Sequence, residues 1–296
     1  MINTPTQDSS KRDYSSISPS ARQLLLLKGF GDIPFAREAA QLMLQPKIYI
    51  NNLDNMDFPF KARLLHFEAR YQSINDLLEG LSINNVLELS SGFSFRGLDL
   101  IQKKEVNYID TDLPEVIELK KQFIEALNSP NFKPLGNLKT LPLNALDEQQ
   151  FNETVKLFPP GEVAILTEGL LMYLNPEEKL KLFGIIHNIL KQRCGYWIVA
   201  DVYVRKDIDL RYAMVNDNLQ GFYTAHNIEE NKFESFVEAE KLFNEAGLVI
   251  DKTADNDYSK LSGYNDILGT ADAENVSLVK SASEIRTTWR LKVAAQ

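Results

Sequence analysis

One cysteine, Cys194, and three histidines are all the thiol and imidazole metal ligands that a chain of 296 residues holds. A single thiol closes no intrachain disulfide and builds no cysteine zinc site, which points to the cytosol. His66, His187 and His226 lack the His-x-x-x-His spacing of a helical metal site, so each reads as a surface or packing residue and no metal is expected. Basic residues are outnumbered, 32 Lys and Arg against 41 Asp and Glu, a net charge of -9 that argues against a phosphate-tracking surface and so against nucleic acid as partner. No apolar run reaches the length of a membrane helix, and "MINTPTQDSSKRDYSS" has no apolar signal core, so a soluble cytoplasmic protein is expected. Gly-x-Ser-x-Gly and Gly-x-x-x-x-Gly-Lys-Ser/Thr are both missing, which removes the markers of a hydrolase elbow and a phosphate-cradling loop.

What is present falls into three parts: a mobile polar arm over 1–17, a helical cover over 18–80, and an alternating region over 81–296 with an insertion at about 203–232. In the cover, Ser18 and Pro19 open a helix that ends near Gly29 and Gly31, and a second helix lies between Pro34 and Pro46. Leu64, Phe67, Tyr71, Ile74 and Leu78 recur at helical spacing over Lys61 to Glu79. Strands then alternate with helices: strand Val86 to Leu89, helix Phe95 to Lys104, strand Val106 to Asp110, helix Pro114 to Leu127, strand Leu138 to Leu141 and helix Glu148 to Leu157. Strand Val163 to Thr167, a helix from Pro176 capped by Asn175, and strand Trp197 to Asp201 continue the pattern. A helix at Phe236 to Ala246, a strand near Val249 and a last strand at Thr287 to Val293 complete it. Such alternation predicts crossover units and a parallel sheet covered on both faces.

Ligands of parallel sheets bind beyond the carboxyl ends of the strands, so the residues there carry the chemistry. Ser90, Ser91 and Gly92 form the first such turn, in "NNVLELSSGFSFRGLDL". The second strand runs into "DTDLP", and Asp112 stands twenty residues beyond Gly92, where a carboxylate holds two ribose hydroxyls. Asn144 and Ala145 follow the third strand and are placed to address an adenine edge; Glu168 follows the fourth and needs a cationic partner. Arg63 and Arg70, seven apart on one helix face, offer sites for an anion. Bland alternatives exist for each: Asp112 as a helix cap, Asn144 as a turn residue, the arginines as solvated charges.

A nicotinamide dinucleotide needs glycines so that backbone approaches its pyrophosphate, and Ser90 and Phe95 stand where those glycines would be. S-adenosylmethionine has no phosphate and tolerates them. The motifs "VLELSSGFSFRG", "YIDTDLPEVIELKK", "LPLNAL" and "TEGLLMYLNPEE", over roughly Arg63 to Asp201, resemble the leucine carboxyl methyltransferase family and its bacterial O-methyltransferase relatives. This resemblance implies the class I methyltransferase fold, a Rossmann-like α/β architecture: a mostly parallel seven-stranded sheet with helices on both faces and an N-terminal helical cover. It also implies S-adenosyl-L-methionine as cofactor, with Arg70 at the methionine carboxylate, Gly92 beneath the methionine part, Asp112 at the ribose, Asn144 and Ala145 at the adenine, and Glu168 at the methyl-donor end. Glu88, Ser90, Asp110, Leu113 and Gly169 complete the implied cofactor set. The family more usually has Gly at Ser90, Asp at Ser94 and often Asp at Asn144.

Methylation of an oxygen is then expected, on a carboxylate or hydroxyl of a small molecule or peptide terminus. A hydroxyl acceptor wants a base, for which Tyr173, His226 and Tyr203 are candidates; a carboxylate wants none. Tyr203, Arg205 and Arg211, at the insertion, are candidates for holding the acceptor. A nucleotide-dependent oxidoreductase and a catalytically silent protein of the same fold remain as alternatives.

Overall fold

The computed structural model describes residues 18–128, 133–205, 221, 224–255, 257–261, 263–269, 271–281 and 284–295. The expected arm at 1–17, and most of the expected insertion including Arg211, lie outside these residues. Helices α1 (Ser18–Lys28), α2 (Ala36–Leu44) and α3 (Phe58–Leu78) come first. Then β1 (Asn85–Leu89), α4 (Arg96–Lys103), β2 (Asn107–Asp112), α5 (Pro114–Leu127), β3 (Asn137–Pro142), α6 (Glu148–Val155), β4 (Val163–Thr167), α7 (Pro176–Arg193) and β5 (Gly195–Tyr203) alternate. After β5 come α8 (Phe236–Glu245), β6 (Leu248–Thr253), two short helices α9 (Tyr264–Gly269) and α10 (Ala273–Ser281), and β7 (Arg286–Val293).

Local chemistry explains the helix starts. Asp57 accepts the Phe60 amide at 2.9 Å and Pro59 lies in the first turn, so α3 starts at Phe58 rather than at the Lys61 suggested by apolar spacing. Asn175 and Glu178 form a reciprocal capping box ahead of α7, as Asn175 and Pro176 led one to expect.

The seven strands lie in the order β3-β2-β1-β4-β5-β7-β6. β1 pairs in parallel with β2 and β4, while β7 runs antiparallel between β5 and β6, which makes the sheet mixed. The order reverses between β1 and β4, and a ligand crevice opens at such a switch point. β1 is buried on both faces, and its side chains alternate between them. Leu87 and Leu89 join Ile165, Phe183, Trp197 and Phe243 on one face; Val86 joins Ile74, Leu77, Tyr108, Leu166 and Ile198 on the other. The second cluster also holds Leu25 of α1 and Ala39 of α2, so the N-terminal helices share a core with the sheet.

Candidate functional site

At the β1–β2 end of the crevice, backbone groups do the holding. Gly92 N–H donates to Asp112 Oδ2 at 2.6 Å, and Leu113 N–H donates to Oδ1 at 2.7 Å, so the carboxylate spans the turn and the strand end. Burial pushes the Asp112 carboxyl up, against the lowering influence of these two N–H groups. Gly92 has φ +53 and Ser90 has φ +49, the left-handed region that only glycine enters without cost. Ser90 therefore keeps the backbone shape that a glycine would supply. Ala21 of α1 lies 3.5 Å from where a Gly92 side chain would begin, so α1 sits over the turn.

Glu88 and Asp110 sit behind this turn. Both share a face with Val86 and Tyr108, under the helices, because strand side chains alternate. Glu88 accepts from Tyr108 Oη at 2.7 Å and from Arg96 Nε at 3.4 Å. Asp110 is ion-paired with the buried Lys120 at 2.6 Å, and Lys120 also donates to Ser91 Oγ at 2.8 Å. Burial outweighs Lys120 and pushes the Asp110 carboxyl up to about 6. Both acids thus support the turn from within. Asn144 Oδ1 accepts the Leu146 amide at 3.0 Å, the geometry of a turn residue, and Ala145 beside it is buried.

At the β4 end the holding is done by side-chain charges. Glu168 takes Lys28 Nζ at 2.6 Å and Arg70 Nε at 3.2 Å on one oxygen, and Arg96 Nη2 at 3.0 Å on the other. The cationic partner this acid needs comes from the protein itself. Burial raises the Glu168 carboxyl, but Lys28, Arg70 and Arg96 together hold it well below the usual carboxylate range. Burial, with Arg70 and Arg96 nearby, lowers Lys28 in spite of Glu168. Arg96 lies over the Tyr71 ring at 3.9 Å, donates to the Tyr71 carbonyl at 3.1 Å, and also donates to Asn75 Oδ1. Gly169, at φ +78, lets the backbone pass close to Arg70: an added Cβ there would stand 3.3 Å from Nη2. Lys28, Arg70 and Arg96 pair with Glu88 and Glu168, and the buried Asp201 also acts on Arg70, so three cations stand among three carboxylates.

The β5 end adds Asp201 and Tyr203. Asp201 Oδ2 accepts the Leu170 and Leu171 amides at 2.6 and 2.5 Å, which fixes the chain after Glu168. Tyr203 Oη lies 2.7 Å from His66 Nε2 and accepts from Arg70 Nη1 at 3.4 Å. His66 is buried and packed against Phe67 and Tyr203, the packing alternative of the expectation, and it also meets the Tyr203 hydroxyl. Tyr173 Oη lies 3.3 Å from Ser20 Oγ of α1; burial pushes its hydroxyl up, so it stays protonated at neutral pH. His226 stands edge-on to the Tyr173 ring at 6.3 Å. Arg205 is exposed and ion-paired with Glu234 at 2.6 Å, and Arg63 lies over the Phe60 ring at 5.9 Å, so neither is gathered into the cluster. His187 packs against Gly247, which is structural.

Sequence reading missed Lys28, His66, Arg96, Lys120 and Asp201. Among the described residues no group of three or more His, Cys, Asp or Glu is arranged to hold a metal, and no helix is long and apolar enough to cross a membrane.

Residues 44–187 match the leucine carboxyl methyltransferase family. No curated protein matches the sequence. Among solved structures, a DUF574 family protein from Streptomyces avermitilis is similar with TM-score 0.54 at 15% identity, covering 93% of this chain and 97% of that one. A candidate methyltransferase from Thermobifida fusca is similar with TM-score 0.51 at 14% identity, covering 98% of each chain. At such identities the likeness speaks for the fold, which is that of the class I methyltransferases.

Proposed function

Starting from a chain that is an S-adenosylmethionine-dependent methyltransferase, by its leucine carboxyl methyltransferase match over residues 44–187 and its fold, we propose that it methylates a carboxylate oxygen of a small molecule or peptide terminus. The residues fit the cofactor. Asp112 stands at the end of β2 beside the left-handed Gly92, suited to ribose hydroxyls, and the Arg70 guanidinium beside Glu168 is of the chemistry that holds the methionine carboxylate. When bound, S-adenosylmethionine supplies the methyl group on an electrophilic sulfonium.

One observation favours this acceptor: among the described residues, the groups gathered around Glu168 are poorly suited to take a proton. Glu168 is held by three cations. Burial and the neighbouring Arg286, Arg70 and Lys232 keep His66 well below its ordinary range, and Tyr173 stays protonated. A carboxylate arrives ionised at neutral pH and loses no proton on methylation, so such a site serves it without a base. A hydroxyl would have to give its proton to one of these groups, to Asp201 or to His226. The chain's own work is then to exclude water and to hold the acceptor in line, which α1 over the turn and the rigid cluster are placed to do.

The test is incubation with methyl-labelled S-adenosylmethionine and a panel of small acids, peptides and phenols, followed by mild alkali. Release of labelled methanol identifies an ester and supports the reading; an alkali-stable methyl ether overturns it in favour of a hydroxyl acceptor.

A further inference from the structure

The contacts around Tyr203 go further, resting on the carboxylate reading above. His66 and Arg70 are four apart on α3, so they share a face, and both reach the hydroxyl that the end of β5 brings to them. Arg70 joins Tyr203 to Glu168, so a continuous polar chain runs from His66 to the end of β4. All four side chains are buried.

The proton count in this chain is restrictive. A hydroxyl oxygen has two lone pairs and one proton. Arg70 Nη1 can only donate, and it occupies one lone pair of Tyr203. His66 is surrounded by cations, Arg70 on its own helix, Arg286 on β7 and Lys232 ahead of α8, and these with burial keep the ring neutral. Its Nδ1 is buried without a hydrogen-bond partner among the described residues, so no neighbour locks the tautomer through that nitrogen. With the ring proton on Nε2, His66 fills the second lone pair of Tyr203. The tyrosine proton then lies on the side of the oxygen that neither His66 nor Arg70 occupies.

We propose that Tyr203 donates this proton to the non-attacking oxygen of the acceptor carboxylate, and that His66, as the Nε2–H tautomer, is the positioning residue that turns it there. Two donors on the phenol oxygen make its O–H a stronger donor. An ionised oxygen takes such a bond more strongly than an ester or amide oxygen, so the arrangement selects carboxylates over isosteric amides and loosens its hold once the ester has formed.

Two measurements without turnover test this. In the ¹⁵N-labelled protein, long-range ¹H–¹⁵N correlation reports each histidine tautomer, and His66→Gln identifies the signals among the three histidines. A neutral ring with its proton on Nε2 from about pH 6 to pH 8 is expected; a proton on Nδ1, or an imidazolium in that range, overturns the proposal. Benzoate is then titrated into the protein loaded with S-adenosylhomocysteine, with benzamide as the neutral isostere. Expected are a saturable shift at His66 with benzoate, at least about tenfold weaker binding of benzamide, and a comparable loss for Tyr203→Phe with S-adenosylhomocysteine affinity unchanged. Absence of a benzoate shift, equal binding of benzamide, or unchanged benzoate affinity in Tyr203→Phe overturns it. An alkali-stable product in the labelling assay would defeat carboxyl methylation itself, whereas the wrong tautomer would overturn this proposal and leave carboxyl methylation standing.

Discussion

The two halves of the crevice hold their acids by different means. At the β1–β2 end, Asp112 is gripped by two backbone amides twenty or fewer residues away. At the β4 end, Glu168 is gripped by three side-chain cations, from α1, α3 and α4, that are 140, 98 and 72 residues away. The first arrangement follows from a turn and a strand that neighbour each other in sequence; the second exists only when the N-terminal helices are packed onto the sheet. Cofactor affinity and global stability should therefore respond differently to damage at the two ends.

The largest effect should come from Glu168→Gln, which leaves Lys28, Arg70 and Arg96 buried with one carboxylate fewer. Removing one partner from a buried ion pair costs about 3–5 kcal/mol, so urea unfolding should shift by roughly that amount. A change under about 1 kcal/mol would show that the cluster is not the fastening of the helical cover. The same residue sets an acid limit. Because its folded carboxyl lies below the ordinary range, its contribution is complete above about pH 4.3 and is lost as pH falls further; Glu168→Gln should flatten the stability-against-pH curve there.

Asp112→Ala should instead spare much of the stability and cut S-adenosylhomocysteine affinity, measured by calorimetry, by tenfold or more, as expected for lost hydrogen bonds to a charged group worth about 1.5–3 kcal/mol. Unchanged affinity would remove the ribose assignment. A smaller effect of opposite sign should follow Ser90→Gly. At φ +49 a serine carries a left-handed cost of about 1 kcal/mol that glycine avoids, partly offset by the greater entropy of an unfolded glycine. The melting temperature should rise or hold; a clear fall would mean that the Ser90 side chain has a role of its own. Smallest of all, Arg205→Ala should cost less than about 1 kcal/mol, since its pair with Glu234 is solvent-exposed. A large loss of acceptor turnover in that variant would return Arg205 to the site.

Legibility in the sequence follows the same division. The alternation of strands and helices, the Gly92–Asp112 spacing and the Asn175 cap are local or nearly so, and all are found where the residues predict them. Arg70 and Glu168 were recognisable as charges in need of partners, yet nothing in their spacing says that they meet each other. Glu88 and Asp110 show the converse: near the turn in sequence, they meet Tyr108 and Lys120 on the face toward the helices because a strand alternates its side chains. His66 was unremarkable beside its neighbours until β5 brought Tyr203 within 2.7 Å of it.

The amino-acid order alone determined the layered α/β architecture, the turn that needs left-handed backbone and the carboxylate facing it, because hydrophobic period, capping and short loops act over a few residues to a few tens. Which cations neutralise Glu168, and that His66 and Arg70 meet at the Tyr203 hydroxyl, were decided by tertiary packing. Burial raises the cost of an unpaired charge, and only the folded chain brings charges from distant helices close enough to meet it.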